Sequence, residues 1–280
     1  MNDLADLDPE TAHWLEMAEV NATREYVQAA IDGIPGNPLG LATRDIGGGV
    51  AVALGAEENP FFNRMIGLGI SRPATEQDLD AAIGFFAEQD RTYVTIPIAP
   101  HARPAELTGW VTERGFPVSR RWPKLWRSLD VLPAPPPTDL RIDPIGKDRA
   151  DDFAKVVNAA FEFGGQFEKM LAATVGRLDW THYLGFDGDH PVAAGAMYRS
   201  GDVAWFGFGA TLESHRGRGG QSAIFQRRML DARALGCRLA ITETGPDTPE
   251  QPNPSLHNMI RLGFSLGYER PNFVRRPAEV

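Results

Sequence analysis

Two arginines alternate with glycines in the stretch Arg216-Gly-Arg-Gly-Gly-Gln221. The aromatic-rich run at 203–210 that precedes it predicts a short buried strand. Residues 222–235, which follow it, predict a helix that ends at Gly236. Glycines let the backbone approach a ligand closely, and the first amides of a helix lack internal partners, so the turn predicts an anion-binding site. An ordinary surface turn with two solvated arginines is the alternative that these residues alone leave open.

Two common phosphate-binding motifs do not fit this turn. A P-loop requires Gly-Lys-Ser/Thr at the helix start, and the sequence here is Gly220-Gln221-Ser222. The dinucleotide fingerprint lacks its third glycine, because Ser222 stands at that position. That fingerprint also belongs to the first strand–helix turn of a parallel sheet, whereas several predicted strands precede this turn. A nucleotide-binding oxidoreductase is therefore only a minor alternative.

The composition narrows the class of protein. A chain of 280 residues with 42% hydrophobic and 23% charged residues fits two globular domains. The net charge of −9 argues against binding to nucleic acid or to anionic membranes. One cysteine, Cys237, fits a reducing compartment, and neither a secretory signal nor a membrane-spanning run is present, so we expect a cytoplasmic protein. His182 and His190 lack metal-ligand spacing, so no metal site is predicted.

A proline-rich run divides the sequence near its midpoint. The segment Leu132-Pro-Ala-Pro-Pro-Pro-Thr138 cannot form a helix or a central strand, so it predicts a linker at 132–138 between domains 1–131 and 139–280. Both halves contain strands, a helix, a strand, a helix that ends in Gly-Phe, and a last strand. This shared layout predicts a tandem repeat of one α/β unit. Gly47-Gly-Gly49 predicts a hairpin turn, since no helix follows it.

The segment Arg216-Gly-Arg-Gly-Gly-Gln221 resembles the Arg/Gln-x-x-Gly-x-Gly/Ala signature of the GCN5-related N-acetyltransferase (GNAT) superfamily. The resemblance extends through most of 139–280 to the closing segment Ser255-Leu-His-Asn-Met-Ile-Arg-Leu-Gly-Phe264. The first half resembles a degenerate copy over 11–131. The implied fold is α/β (α+β): two tandem GNAT-like domains, each with a mixed, mostly antiparallel sheet flanked by helices. In the C-terminal domain two strands are expected to splay and form a cofactor notch.

The resemblance also implies a cofactor and a reaction. Acetyl-CoA would bind at the glycine-rich turn, and its acetyl group would pass to a small-molecule or peptide amine by direct transfer in a ternary complex. Pyrophosphate would lie on the amides of 217–222, and pantetheine along 210–212. The cofactor-binding residues that the resemblance implies are Ala210, Thr211, Leu212, Arg216, Gly217, Arg218, Gly219, Gly220, Gln221, Ser222, Ser255 and Asn258.

The sequence departs from the family pattern at the position of the general acid, and it does not decide which residue is the general base. Met259 stands where the family often has a tyrosine that protonates the departing thiolate. The alternatives for this acid are Tyr183, Tyr198 and Tyr268, or water. Glu243, at the end of the strand opposite the cofactor strand, is the candidate general base, and a solvated glutamate at a strand end is its alternative.

In the first half, the helix that corresponds to 222–235 begins with different residues. Glu76, Asp78 and Asp80 place carboxylates where the second half has its arginines and glycines, and carboxylates there repel an anion. We therefore expect coenzyme A to bind the C-terminal half alone. A non-catalytic acyl-CoA sensor or scaffold is the alternative function, and the sequence leaves the acceptor and the oligomeric state open.

Overall fold

The computed structural model describes residues 7–56 and 61–277. In chain order the elements are α1 (Pro9–Gly33), β1 (Leu41–Ile46), β2 (Gly49–Leu54), β3 (Arg64–Ile66), α2 (Glu76–Glu88), β4 (Val94–Pro97), α3 (Leu107–Glu113), β5 (Val118–Ser128), β6 (Arg141–Ile145), α4 (Ala150–Phe161), α5 (Gln166–Ala173), β7 (Trp180–Asp187), β8 (His190–Ser200), β9 (Val203–Thr211), α6 (Gly220–Ala234), β10 (Leu239–Glu243), α7 (Pro254–Arg261) and β11 (Ser265–Arg275).

The chain forms two compact units. The N-terminal unit contains the chain up to Ile31, then Pro35–Lys124, and the chain from Leu266 onwards. The C-terminal unit contains Asp32–Ile34 and Leu125–Ser265. These units differ from the predicted domains 1–131 and 139–280, because the last strand of the sequence lies in the N-terminal unit. The predicted linker at 132–138 has no regular structure but is part of the C-terminal unit, where Gln226 Nε2 donates to Pro133 O at 3.1 Å.

The N-terminal unit has a mixed, mostly antiparallel sheet in the order β1-β2-β3-β4-β11-β5. The β1–β2 hairpin turns at Gly47 and Gly48, which have φ angles of +60° and +84°. Those left-handed angles suit a two-residue hairpin turn, so the triple glycine acts as predicted. Strand β3 pairs in parallel with β4 through the crossover helix α2, and the aromatic rings of Phe85 and Phe86 on α2 lie in the core.

A buried network of charges holds β11 in this unit. Glu19 on α1 accepts hydrogen bonds from Lys124 Nζ and Arg270 Nη1 at 2.7 Å each and from Arg64 Nη2 at 3.0 Å. Glu16 accepts from Arg270 Nη1 at 2.7 Å. Burial alone would raise the pKa of Glu19, but Arg270, Lys124 and Arg64 together hold it well below its ordinary value. Because these partners come from β3, β5 and β11, a single carboxylate ties three strands to α1.

The C-terminal unit repeats the strand–helix–strand arrangement. Within this unit the strand order is β10-β9-β8-β7-β6, with the last residues of β5 beside β10, and β9 and β10 are a parallel pair joined through α6. Phe206 of β9 packs against Phe225 of α6 and Phe264, so α6 covers one face of the sheet. Phe153 of α4 packs on the opposite face, against Phe208 and His182. The predicted mixed α/β architecture, a mostly antiparallel sheet flanked by helices, is confirmed. In the part of the chain that the structure describes, no helix is long and apolar enough to cross a membrane.

Candidate acyl-coenzyme A site

Strands β9 and β10 part at the position where the notch is predicted. Their parallel pairing runs from Leu239↔Val203 to Ile241↔Trp205 and stops there. Strand β9 nevertheless continues to Thr211, and β10 continues to Glu243. At the point of separation Thr242 Oγ1 donates a hydrogen bond to Phe206 O at 2.9 Å. Beyond this bond, the edge of β9 that faces β10 has no strand partner among the residues that the structure describes, so a ligand chain can pair with it.

A bulge bends β9 just beyond this point. On β8 the register with β9 shifts between Ala194 and Ala196, so the pairs Ala194↔Ala210 and Ala196↔Gly207 leave one extra residue on β9. Phe208 lies inside the bulge with a φ angle of +52°, a left-handed conformation that is uncommon for a non-glycine residue. An extra residue bends a strand and increases its local twist. The bulge therefore contributes to the separation of β9 from β10.

The glycine-rich turn leaves the start of α6 open. Gly219 is the N-cap of α6 with a φ angle of +78°, and no side chain caps the helix. A Cβ atom on Gly219 would lie 2.3 Å from Pro137 O, so only glycine fits this position. The linker also binds the turn, because Thr138 Oγ1 donates to Arg218 O at 2.7 Å. Uncapped first-turn amides and the positive end of the helix dipole together favour an anion.

The two arginines of the turn have different surroundings. Arg218 donates to Asp187 Oδ2 at 2.6 Å and to Asp139 Oδ2 at 2.5 Å. Hydrogen bonds from Arg218 lower the pKa of both carboxyls, which keeps the pairs ionised. Two carboxylates thus already pair with the Arg218 guanidinium, and its predicted contact with a cofactor stays a prediction. Arg216 is exposed, and within 7–56 and 61–277 its guanidinium has no ion-pair partner.

A hydrogen-bonded bridge joins the starts of α6 and α7. Gln221 Nε2 donates to Ser255 Oγ at 2.5 Å, and Asn258 Nδ2 donates to Gln221 Oε1 at 2.6 Å. The structure thus brings together three of the predicted cofactor residues. It also gives a reason for the departure from Gly or Ala at position 221, because the longer amide holds α7 beside the turn. Gly220 is the first residue of α6, and a Cβ there would lie 2.9 Å from Leu140 Cδ1.

The main-chain groups of 210–212 point towards both edges of β9, the edge paired with β8 and the open edge. Leu212 N donates to Val192 O of β8 at 2.9 Å, so this amide already has a partner within the sheet. Successive main-chain groups of a strand alternate between its two edges, which turns those of Thr211 towards the open edge. Of the three residues predicted to pair with pantetheine, Thr211 fits best. Ala210 lies opposite Ala194, on the same edge as Leu212.

The surroundings of the candidate general base and of the candidate general acids differ in burial and in hydrogen-bond partners. Glu243 is half-buried at the end of β10, on one side of the notch. Met259 is buried in the core with Phe225 and Phe264, so this position offers no proton donor. Tyr183 is fully buried, donates to Asp231 Oδ2 at 3.0 Å, and has a pKa raised by burial. Tyr268 lies in the N-terminal unit and donates to Glu16 Oε1 at 2.6 Å.

An aromatic cluster lies beside the notch, on the face of the sheet opposite α6. Trp180, Tyr198 and Trp205 stand in register across β7, β8 and β9. The ring of Phe208 packs 5.8 Å from that of Trp205 and 6.2 Å from that of Trp180. Sequence reasoning missed this cluster, because its members come from three separate strands. The aromatic run at 203–208 was its only signal in the sequence.

His182 lies at the edge of this cluster as a neutral side chain. Thr174 Oγ1 donates to Leu171 O at 2.8 Å, so towards His182 Nε2, 2.9 Å away, it must accept. The proton of the imidazole is therefore on Nε2. Burial lowers the pKa of His182 to about 3, which keeps the ring uncharged at neutral pH.

The equivalent helix start in the N-terminal unit is closed. Thr75 caps α2 by accepting from Asp78 N at 3.1 Å, and Asp78 accepts in return from Thr75 N at 2.9 Å. Arg72 forms two hydrogen bonds to Asp78, which lower the pKa of that carboxyl to about 2. After β3, the chain pairs with itself: Arg103 N donates to Gly69 O at 2.9 Å, and Ala74 N donates to Arg103 O at 2.8 Å. The unit's own side chains and backbone thus supply partners for the polar groups at this helix start and after β3.

Solved structures share this architecture. A GCN5-related N-acetyltransferase from Kribbella flavida aligns with a TM-score of 0.64 at 18% identity, over 93% of this chain and 96% of that one. A GCN5-related N-acetyltransferase from Sphaerobacter thermophilus aligns with a TM-score of 0.59 at 14% identity, over 82% of this chain and 81% of that one. A tandem GNAT protein from the clavulanic acid biosynthesis pathway, solved without AcCoA, aligns with a TM-score of 0.57 at 18% identity, over 97% of both chains.

Comparisons that use the sequence alone give no match. No protein-family model matches it, and neither does any curated protein. The structural similarity covers nearly the whole chain, including both units, so the tandem GNAT fold predicted from the sequence is confirmed.

Proposed function

We propose that the protein is an acyltransferase that moves an acetyl group from acetyl-CoA to a small-molecule amine, using its C-terminal unit. The observation that carries the proposal is the open start of α6 directly beside the parted strands β9 and β10. Uncapped amides suit a pyrophosphate, and an unpaired strand edge suits the amides of pantetheine. One ligand of coenzyme A's shape would satisfy both features at once.

The reaction needs little from the protein beyond positioning and proton transfer. The amine nitrogen attacks the thioester carbonyl carbon, so a C–N bond forms and negative charge develops on the carbonyl oxygen. The C–S bond then breaks, the amine proton passes to a base, and the thiolate leaves and takes up a proton from water. Glu243 is the proposed base because it ends β10 at the notch. Main-chain N–H groups at the bulge are proposed to stabilise the oxyanion.

The aromatic cluster favours one kind of acceptor. Trp205 stands where the strands part and is buried, and the half-buried Phe208 lies within the bulge beside it. Rings of this size bind an apolar or aromatic body, and their faces also attract an ammonium group. We therefore propose an acceptor with one amine on an aromatic or alkyl body.

Two assays test the proposed function. Thermal shift with acetyl-CoA and with NAD separates the cofactor classes, because a ligand at 100 times its Kd adds about 2.7 kcal/mol. Release of free thiol is then scored over a panel containing arylalkylamines, alkylamines, polyamines and amino acids. Stabilisation by acetyl-CoA with thiol release supports the proposal. Stabilisation without release from any amine favours the sensor alternative, and stabilisation by NAD alone contradicts both.

Replacing the candidate base should affect turnover far more than binding. In Glu243→Gln we expect kcat to fall on the order of 100-fold, because an amide cannot accept the amine proton, while the Kd for acetyl-CoA stays within about threefold. Steady-state kinetics and calorimetry measure the two quantities. The matched control is Glu250→Gln, an exposed residue in the loop that follows β10. Equal turnover of Glu243→Gln and wild type would remove Glu243 from the mechanism.

Binding should occur once per chain. The N-terminal unit caps α2 with Thr75 and Asp78 and fills the space after β3 with its own backbone, so calorimetry with acetyl-CoA should give a stoichiometry of about one. Two sites of similar affinity would show that these contacts open to admit a second cofactor, which contradicts the expectation.

A further inference from the structure

A buried arginine lies beneath the bulge of β9. Arg228 of α6 is 1% exposed, and its guanidinium stacks over Phe225 at 4.3 Å and over Phe206 at 4.7 Å. Its Nη1 donates to Ala196 O at 3.0 Å and to Gly207 O at 3.2 Å. In the part of the chain that the structure describes, Nε and Nη2 have no hydrogen-bond partner. Burial lowers the pKa of Arg228 to about 9, so the side chain is still protonated at neutral pH.

The sheet is built around this side chain. Ala196 and Gly207, whose carbonyls accept from Arg228, form the last cross-strand pair before the extra residue of the bulge. A Cβ atom on Gly195 would lie 3.2 Å from Arg228 Cζ, so the absence of a side chain there makes room for the guanidinium. On Gly209 a Cβ would lie 4.0 Å from Nη2, the nitrogen without a partner. The guanidinium therefore spans the bulge from one strand to the other.

Stability alone does not account for a charge at this position. Removing a cation from water costs several kcal/mol, and two carbonyls and two rings replace only part of its hydration. Apolar side chains of similar size often stabilise a buried position as well as an ion does. The position of Arg228 points to a role in the candidate site instead. The bulge above it lies between the point where β9 and β10 part and Thr211, whose main chain faces the open edge of β9.

We infer that Arg228 is a positioning residue for the proposed acyl transfer: it fixes the β9 bulge through Ala196 O and Gly207 O and places positive charge beneath the thioester carbonyl. The inference rests on the proposed function. The charge acts through the strand and does not touch the substrate. It stabilises the negative charge that develops on the carbonyl oxygen as the C–N bond forms, before the C–S bond breaks.

Three variants test this role. Arg228→Met keeps an unbranched side chain of similar size and removes its charge and hydrogen-bond donors. Arg228→Lys keeps the charge but replaces the planar guanidinium with a single ammonium group. Arg227→Met is the matched control, because Arg227 is the neighbouring residue and pairs with Asp231 near the helix surface. We expect Arg228→Met to lower kcat on the order of 50-fold with the Kd for acetyl-CoA within threefold of wild type. Arg228→Lys should recover about half of that loss on a logarithmic scale, and Arg227→Met should match wild type.

The outcomes separate this inference from the proposed function. A purely structural arginine would lower acetyl-CoA affinity and kcat together, and Lys would not rescue it, which overturns the inference. Equal kcat in Arg228→Met and wild type overturns it as well. If Arg228→Met fails to fold, Arg228→Lys carries the test, and the result that supports the inference is a reduced kcat with unchanged Kd. If wild type neither binds acetyl-CoA nor releases thiol with any amine, the proposed function fails and the inference falls with it.

Discussion

The Ser222→Asp variant is expected to bind acetyl-CoA about 100-fold more weakly than wild type, a loss of about 2.8 kcal/mol. Ser222 is the third residue of α6, and Asp78 is the third residue of α2. In α2 that carboxylate accepts from main-chain and side-chain donors at the helix start. An aspartate at position 222 would reproduce this arrangement in the C-terminal unit, because its carboxylate would compete with the pyrophosphate for the same amides.

The same substitution should leave the fold intact. A carboxylate in the first turn of a helix stabilises it by about 0.3–1 kcal/mol, so the melting temperature should stay equal or rise slightly. Ser222→Asn, which has the same shape without the charge, is the control and should bind within about fivefold of wild type. Calorimetry measures both affinities. If the Asp and Asn variants bind acetyl-CoA equally well, the pyrophosphate does not lie on the first turn of α6. Gly219 is less suitable for this test, because any side chain there would meet Pro137 O.

The Glu19→Gln variant is expected to lose about 3–5 kcal/mol of unfolding free energy, the largest stability change that we predict. The amide keeps the shape of the side chain but removes the charge that compensates Lys124, Arg64 and Arg270. Each of these three cations would then lose a buried ion pair. Urea denaturation followed by circular dichroism measures the change.

An exposed pair provides the control for this loss. Glu88→Gln removes the partner of Arg44 from a pair in which both side chains are about half exposed, and the cost should stay within about 0.5 kcal/mol. Because the pKa of Glu19 is lower in the folded than in the unfolded state, its contribution is complete above a pH of about 4.3 and is lost as pH falls towards the folded value. The difference between wild type and Glu19→Gln should therefore shrink in acid. A loss no larger than that of Glu88→Gln would show that the network is not needed for stability.

The repeated parts of the fold follow from local patterns in the sequence. The strand–helix–strand order, the glycine hairpin at 47–49 and the two helices that end in Gly-Phe are local patterns, so they could be predicted. The position of β11 could not, because it depends on contacts between Arg270 and two glutamates about 250 residues earlier in the chain. A proline-rich segment marks a break in regular structure, but it does not tell which unit the following chain joins.

The candidate site also has parts that could be predicted from the sequence and parts that could not. The glycine turn, the helix start and the notch follow from a motif of adjacent residues, and the structure brings them together. The pairing of Arg218 with Asp139 and Asp187 could not be predicted, since those carboxylates are 79 and 31 residues away in sequence. The aromatic cluster and Arg228 were missed for the same physical reason. Each depends on the register of neighbouring strands, and the extra residue at Phe208 that sets this register has no signature in the sequence.

A crystal structure with bound coenzyme A tests the central claim most directly. We predict one coenzyme A per chain, with its pyrophosphate on the amides of 217–222 and its pantetheine paired with Thr211 in the gap between β9 and β10. The start of α2 should remain closed by Thr75 and Asp78. Coenzyme A bound at α2, or bound away from the glycine turn, would contradict this account.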